Sequence, residues 1–369
     1  MIKLENVKSL EAKITFRGKG VINADEGKSH SWFLYNKGLY ATKNENIKFA
    51  KKSFVDEYDE NEKEWKTKFK YKVSSDCLRH AMFEREMAFY NNALMDVPTA
   101  FYNSIATPAL VARGYMFAKT NKNETKGWSA KKKSIFTISS AIAEMNPADK
   151  VYAEFCSKAG SKKSKDETDA DAKSDTSVHA VESVGEYEYV SSMFVDLCEA
   201  QFISMDNLFD RCAVPFERHG VEYKKVYFDA LKRNFNTQED FEIKNYCLST
   251  SVMGDEFAEE GVKLTKEMVN TLVHMILNRI VNLKIDRPSN GGYMEFSRMT
   301  VRVNMDNGEF KEFEVKNEND VKDIVFEYYD CYKEADAKAV AHRKHIMETL
   351  KEENSKTKKS KADKKENAE

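Results

Sequence analysis

The sequence predicts an α+β fold, and three segments carry that prediction. Residues 10–23 alternate apolar and polar side chains up to Gly18 and Gly20, which is typical of a strand that ends in a turn. Residues 294–315 contain two alternating runs on either side of an Asn-Gly turn, the strongest short-range signal of a β-hairpin. Residues 264–285 carry an apolar stripe at helical spacing, formed by Met268, Leu272, Met275, Ile276, Ile280 and Leu283.

The other elements follow from local signals. The set comprises a helix at 74–95 that Ser74, Ser75 or Asp76 can cap, a buried strand or a helix-to-strand passage at 108–118, strands at 134–143 and 187–205, and helices at 223–235 and 320–351. This order satisfies a βαββαβ core, the ferredoxin-like topology, which leaves one face of its sheet open for a ligand.

The sequence also predicts the domain organisation. Residues 1–350 are expected to form one domain with two large insertions, at 24–72 and 119–186. Within the second insertion, residues 157–186 hold few apolar side chains and no Phe, Trp or Tyr, which indicates a flexible segment. The lysine-rich tail at 351–369 is expected to be disordered for the same reason.

Composition excludes several classes of protein. The 59 basic and 61 acidic side chains leave a net charge of −2, so the whole chain is no polycation. The six cysteines, without a CxxC pair, exclude a zinc ribbon and a small disulfide scaffold, and predict reduced thiols in a cytoplasmic protein. Without a signal-peptide pattern or a run of 18 apolar residues, no membrane partner is expected.

Motifs for catalysis and cofactors are weak. The sequence has no P-loop, no HExxH and no GxSxG motif. Cys77 and His80 could be a nucleophile and its base, but no third residue orients them. His342 and His345 lie three residues apart, but no carboxylate or thiol accompanies them in the sequence. Acidic residues spaced like Asp206 and Asp210 are common on surface turns. We therefore predict no cofactor, no metal and no enzymatic activity.

Basic residues, by contrast, recur at predicted turns and helix starts. Each of these residues alone is an ordinary solvated side chain. Together with the neighbouring rings of Tyr115, Trp128 and Tyr293, they suit a single-stranded nucleic acid. The phosphates of such a strand bind cations, and its bases stack on aromatic rings. The candidates are Arg17, Lys19, Ser74, Ser75, Arg79, His80, Arg113, Lys131, Lys132, Lys133 and Arg287.

Four segments in order resemble one known family. They are VSSDCLRHAMFERE at 73–86, ATPALVARGYMFA at 106–118, QFISMDNLFDRCAV at 201–214 and NLKIDRPSNGGYMEFSRMTVRV at 282–303. The series resembles the CRISPR RNA-binding backbone subunit of class 1 effector complexes, the seventh Cas family of the RAMP superfamily. The compact type I-F variant is the most similar subgroup, followed by the type IV backbone subunit.

The resemblance implies a function. It implies an RRM-like palm with finger and thumb insertions that binds guide RNA through the phosphate backbone, independently of sequence. Copies would stack head-to-tail along the RNA with other effector subunits, leaving bases free to pair with target DNA. Carried over by position, Ser74, Ser75, Arg79 and His80 are phosphate contacts, and Arg113, Arg211 and Arg287 lie in the other matched segments.

Two alternatives stay open at this point. A RAMP-type ribonuclease acting alone would depend on His80 or on an aspartate such as Asp25 for cleavage. A general α+β RNA-binding or interaction protein would carry basic loops that are merely solvated.

Overall fold

The computed structural model describes most of the chain. The described residues are 2–25, 47–84, 97–119, 128–144, 153–158, 177–205, 214, 216–218, 221–249, 257–288 and 291–349. The helices among them are α1 (Ser75–Met82), α2 (Pro98–Ile105), α3 (Pro108–Arg113), α4 (Leu197–Ala200), α5 (Lys224–Phe235), α6 (Lys266–Val281), α7 (Glu318–Lys322) and α8 (337–349).

The strands fall into one large sheet and several small ones. The large sheet contains β1 (Ile2–Lys19), β4 (Lys52–Asp59), β5 (Glu64–Val73), β8 (Phe136–Ile138), β9 (Ala141–Ala143), β12 (Glu186–Asp196), β18 (Lys284–Arg287), β19 (Gly292–Met305), β20 (Phe310–Val315) and β21 (Ile324–Tyr328). The small sheets contain β2 (Ala24–Asp25), β3 (Ile47–Ala50), β6 (Tyr115–Lys119), β7 (Trp128–Lys132), β10 (Ala153–Lys158), β11 (Ser177–Glu182), β13 (Phe202–Ser204), β14 (Glu217–Arg218), β15 (Val221–Glu222), β16 (Lys244–Leu248), β17 (Ala258–Lys263) and β22 (Tyr332–Glu334).

Strand β1 lies at the centre of the large sheet. It pairs antiparallel with β12 on one side and with β19 on the other, and its first residues pair parallel with β21. The order across the sheet is β18-β19-β1-β12-β9-β5-β4, with β20 beside β19, and β8 beside β12. The predicted α+β class is therefore confirmed.

The alternation along β1 separates the two faces of this sheet. Leu10, Ile14 and Phe16 are buried in the core, whereas Lys13 and Arg17 are exposed on the opposite face. Helix α6 packs against α3, β19 and β21 on the core side. Five of the six residues of the predicted stripe are buried, and Met275 is half-buried. The predicted cap is present, because the Thr265 hydroxyl accepts a hydrogen bond from the backbone N–H of Met268.

Several boundaries agree with the sequence and three segments differ from it. The strand predicted at 187–205 is interrupted by α4. The hairpin at 294–315 and the helix at 223–235 form as predicted, and 108–118 is the helix-to-strand passage. The helix predicted at 320–351 is wrong for residues 324–334, where β21 and β22 are joined by residues 329–331. Residues 324–328 are rich in β-branched and aromatic side chains, and pairing with β1 overrides the helical spacing around them.

The segment predicted as flexible also differs at both ends. Its first residues belong to β10, and β11 lies near its other end, paired with β10 and β3. Glu182 of β11 is buried. Residues 159–176, the tail at 351–369 and the second half of the helix predicted at 74–95 lie outside the described residues.

The prediction of reduced thiols is wrong for one pair. Cys198 and Cys331 form a disulfide with their Cα atoms 5.6 Å apart. The buried side chain of Gln201 holds this region together, since its amide donates to the carbonyl of Tyr329 at 2.8 Å and accepts from the N–H of Cys331 at 3.0 Å. The sequence separation of 133 residues concealed this proximity, which only the fold creates.

A buried ion pair fastens the β4–β5 hairpin to β11. The Lys52 Nζ lies 2.5 Å from Glu182 Oε2, and both side chains are fully buried. The same carboxylate accepts hydrogen bonds from the N–H of Ala50 at 2.8 Å and the hydroxyl of Tyr71 at 3.0 Å. Burial raises the pKa of Glu182, while the Lys52 ammonium opposes that rise. Burial also raises the pKa of the Tyr71 hydroxyl, which stays protonated and donates.

We predict that Lys52→Met destabilises the fold by about 3–5 kcal/mol, because it leaves a buried carboxylate without its cation. Urea denaturation measures the change. The neighbouring Lys51→Met is the control, with a change of about 0.5 kcal/mol or less. The double variant Lys52→Met, Glu182→Leu should recover part of the loss. A single variant as stable as the parent chain would contradict the role of the pair.

Candidate nucleic-acid interface

Two turns from distant parts of the sequence meet at the end of β1. Gly20 has a φ of +66°, and a Cβ on it would lie 2.1 Å from the carbonyl oxygen of Gly291. A Cβ on Gly292 would lie 2.2 Å from the carbonyl oxygen of Val21. Only glycine permits this approach of two backbones, so the predicted glycine turns form one structure, which we call the glycine junction (Gly18–Ile22 and Gly291–Gly292).

Basic side chains surround the glycine junction. Arg17 and Lys19 are exposed on β1 immediately before Gly20, and Arg287 is half-exposed opposite Gly292 in the β18–β19 pairing. Tyr293 lies opposite Lys19 across the β1–β19 ladder. The Lys284 ammonium lies 5.1 Å from the centroid of the Tyr293 ring, and the hydrogen bond to Glu295 raises the pKa of the Tyr293 hydroxyl.

The start of α1 is joined to the same region. Asn23, just after the junction, donates from its side-chain amide to the Ser74 hydroxyl at 3.2 Å. Ser74 is the N-cap of α1 and accepts from the N–H of Cys77 at 3.3 Å. The N–H of Ser75 donates to the Ser140 hydroxyl at 3.3 Å. These bonds use two of the donors at the helix start internally, so the exposed cations of β1 are the stronger attraction for an anion at this end.

Arg79 and Arg113 are brought together on the core side of the sheet. The Arg79 guanidinium donates to the carbonyl of Arg113 at 3.0 Å, where α3 ends, and lies 5.5 Å from the Phe136 ring centroid. Arg79 lies one helical turn after Ser75, and His80 beside it is exposed. Arg79 thus joins α1 to α3 in addition to any contact with a ligand.

The lysines at 131–133 point in different directions. Lys131 lies opposite Met116 on the outward face of the β6–β7 hairpin. Lys132 is buried, and its ammonium donates to the carbonyl of Lys133 at 3.3 Å. Lys133 is exposed and pairs with Glu199 at 3.0 Å. Arg211, with Asp206 and Asp210, lies outside the described residues.

The open face of the sheet adds cations that the sequence analysis missed. Lys13 precedes Arg17 and Lys19 on the same face of β1, and Arg298 and Arg302 lie on the neighbouring β19. A groove of about 720 Å³ is lined by Lys13 and Arg302 and also by Glu11 and Glu312. The alternation of RMTVRV on β19 was the available signal, since it places Arg298 and Arg302 on the face opposite the buried Met299 and Val301.

This arrangement places several exposed cations where an extended polyanion could contact them. Cations lie along one strand and around a turn, and hydroxyl groups and a tyrosine ring lie beside them. Within the described ranges, no group of three or more His, Cys, Asp and Glu side chains is placed to hold a metal ion. No helix among the described residues is long and apolar enough to cross a membrane.

Comparisons with known proteins give one family. A model of the family described as type I-Fv CRISPR-associated protein Cas7fv-like matches residues 6–336. A chain of a CRISPR RNA-guided surveillance complex is 10% identical, with a TM-score of 0.33, over 81% of this chain and 70% of that one. A chain of such a complex in a pre-nicking state is 9% identical, with a TM-score of 0.34, over 81% and 77%. No curated protein matches the sequence.

We predict that Gly292→Ala lowers the free energy of unfolding by about 1–3 kcal/mol, because its methyl group would overlap the backbone of Val21. Thermal unfolding followed by circular dichroism measures the change. Gly185→Ala is the control, since a Cβ there meets only the Tyr187 ring at 3.6 Å. Equal melting temperatures for the two variants would mean that the two turns are not in contact.

Proposed function

Because the family match covers residues 6–336, this chain belongs to the Cas7fv-like family of type I-Fv CRISPR-associated proteins, and we propose that it binds guide RNA and polymerises along it as the backbone of a surveillance complex. The observation that carries this proposal is the glycine junction with its exposed cations Arg17 and Lys19. Two close-packed turns present these cations on a fixed backbone, which suits a repeated phosphate chain.

The proposal includes a ferredoxin-like, RRM-like palm. The strands β19-β1-β12-β9 are neighbours in that order, and each pair is antiparallel. Helices α1 to α3 lie between β1 and β9 in the chain, and α6 lies between β12 and β19. This order supports a βαββαβ palm. The β4–β5 hairpin and the β6–β7 hairpin then belong to finger and thumb insertions.

The RNA contacts in this proposal are to phosphates. Arg17, Lys19 and Arg287 surround the junction, Ser74 and Ser75 lie next to it, and the other proposed contacts are Arg79, His80, Arg113, Lys131, Lys133 and Arg211. The buried Lys132 is not available for such a contact. Cations that contact the backbone carry no base information, so binding is independent of sequence. Bases left exposed then pair with target DNA, and pairing supplies the specificity.

The proposed subunit performs no reaction. Copies add head-to-tail on the guide, and other subunits of the effector complex complete the assembly. The protein then acts by holding RNA in a fixed shape.

We predict that the double variant Arg17→Ala, Lys19→Ala weakens RNA binding equally for unrelated sequences, and that the dependence of log K on log salt becomes less steep by about one to two units. Fluorescence anisotropy with two RNAs of different sequence at several salt concentrations measures both effects. Lys3→Ala is the control, because Lys3 is exposed near the other end of the same strand.

Two results would contradict this proposal. Unchanged affinity in the double variant would remove the glycine junction as the RNA site. A loss of binding for one RNA sequence alone would contradict recognition through phosphates.

We also predict that the purified chain leaves labelled RNA intact, with and without divalent cations, because the proposed contacts hold the phosphate backbone and include no paired general acid and base. Gel electrophoresis of end-labelled RNA measures cleavage. Specific cleavage that disappears in His80→Ala would instead support a ribonuclease.

A further inference from the structure

Two chain connections that the structure describes lead from the large sheet to the small sheet β13-β17-β16-β22. Helix α4 lies between β12 of the large sheet and β13, and residues 329–331 lie between β21 of the large sheet and β22. The disulfide joins Cys198 of α4 to Cys331 of the other connection. This bond therefore crosslinks the two connections at the place where both enter the small sheet.

Hydrogen bonds hold the two cysteines near each other without help from the sulfur bond. The fully buried side chain of Gln201 donates to the carbonyls of Leu197 at 3.0 Å and Tyr329 at 2.8 Å. It accepts from the N–H of Cys331 at 3.0 Å. The carbonyl of Cys331 accepts from the N–H and the hydroxyl of Ser249, both at 2.8 Å. Because none of these bonds needs the S–S link, we expect the two sulfur atoms to be adjacent in the reduced protein as well.

The two cysteines differ in their access to solvent. Cys331 is fully buried in a cluster with Phe202 and Tyr332. Cys198 is only half-buried at the border of that cluster. Redox-active cysteines combine one sulfur that an external thiol or disulfide can reach with a second sulfur placed to react with the first. Burial therefore assigns the external reaction to Cys198 and the internal one to Cys331.

We propose that Cys198 and Cys331 are a reversible redox pair that exchanges with small-molecule thiols and disulfides. In the oxidising direction, the Cys198 thiolate attacks one sulfur of glutathione disulfide, and one glutathione thiolate leaves as a mixed disulfide forms at Cys198. The Cys331 thiolate then attacks the Cys198 sulfur, and the second glutathione thiolate leaves. Each departing thiolate takes up the proton that one cysteine has lost. Two cysteine thiols are thus oxidised while one glutathione disulfide is reduced to two thiols.

Reduction passes through the same mixed disulfide. A glutathione thiolate attacks the Sγ of Cys198, and the electron pair of the S–S bond goes to the Sγ of Cys331, which takes up a proton. That sulfur lies 3.5 Å from the carbonyl oxygen of Tyr329, so the buried thiol has an acceptor for its hydrogen bond. A second glutathione thiolate then releases Cys198 and forms glutathione disulfide.

The redox state sets how firmly the small sheet is attached to the large one. Cys198 and Cys331 are 133 residues apart in the sequence, and a crosslink of that span restricts the unfolded chain. Without the bond, the connections are still held by Gln201 and by Lys263, which lies 2.6 Å from Asp330. Both states therefore keep the same fold, and the reduced state unfolds more readily. This inference goes beyond the proposed function and does not depend on RNA binding.

The first test equilibrates the full chain with mixtures of reduced and oxidised glutathione. Thiols are blocked with iodoacetamide at each ratio, and mass spectrometry of the peptides gives the crosslinked fraction. The expected result is a bond between positions 198 and 331 whose fraction follows the ratio in both directions, with an unchanged circular dichroism spectrum. Thiols at both positions in every mixture, a bond that survives the most reducing mixture, pairing with another cysteine, or loss of the fold on reduction would overturn the inference.

The second test compares two matched variants with glutathione disulfide. Cys331→Ser should accumulate one glutathionyl group on Cys198, because no second thiol displaces it. Cys198→Ser should react at Cys331 about tenfold more slowly or less, since that sulfur is buried. Equal rates, or a faster reaction at Cys331, would overturn the assigned roles. If either variant does not fold, the alkylation rates of the two cysteines in the reduced parent chain give the same comparison.

Thermal unfolding tests the effect of the bond on the fold. The oxidised parent chain should melt about 3 °C or more above the reduced one. Cys77→Ser is the matched control and should keep the whole difference, because Cys77 is half-buried and belongs to no disulfide. Cys198→Ser should melt at one temperature in both buffers. Equal melting temperatures for the oxidised and reduced parent chain would show that the bond does not hold the two connections. A failure of RNA binding would leave all three results unchanged.

Discussion

Most of the molecule depends on the pairing of β1 along both of its edges. Its 18 residues contact β12, β19 and β21, three strands that come from the middle and the end of the chain. The same strand buries Ile14 and Phe16 on one face and exposes Lys13 and Arg17 on the other. A slip of one residue in its register would exchange these faces. The core packing would then be lost, and Lys13 and Arg17 would no longer lie on the exposed face.

The glycine junction shows how this strand positions a candidate site. The turn after β1 and the turn before β19 touch because the two strands are neighbours in register, with Lys19 opposite Tyr293. Asn23 then connects the junction to the cap of α1 through Ser74. Cations from separate elements therefore share one rigid support, which is what a repeated phosphate backbone requires.

The β4–β5 hairpin is attached to the molecule in a different way. Its base is fixed by the buried pair of Lys52 and Glu182, whereas its tip is fixed by Asp59 and Lys66 in solvent. The buried pair ties the hairpin to a segment 130 residues away in the sequence. The position of this hairpin relative to the core thus depends on a contact between two parts of the chain that local patterns treat as unrelated insertions.

Local signals were sufficient for elements that each depend on neighbouring residues. The stripe of α6, its Thr265 cap and the Asn-Gly hairpin are determined by side chains within a few positions of one another. The same signals placed Arg17, Lys19 and the glycines at turns, and ordered segments indicated the family.

Long-range pairing decided the rest. Residues 324–328 became a strand because β1 offered an edge, and the Glu182 carboxylate became buried because Lys52 met it. Cys198 lies beside Cys331, and Gly20 beside Gly291, because the fold brings distant parts of the chain together. The sequence by itself determined the elements that local spacing encodes, such as α6 and the β19–β20 hairpin, and the residue types that they present. The tertiary structure decided which of those residues meet, because such contacts depend on strand register and on chain separations that no local pattern encodes.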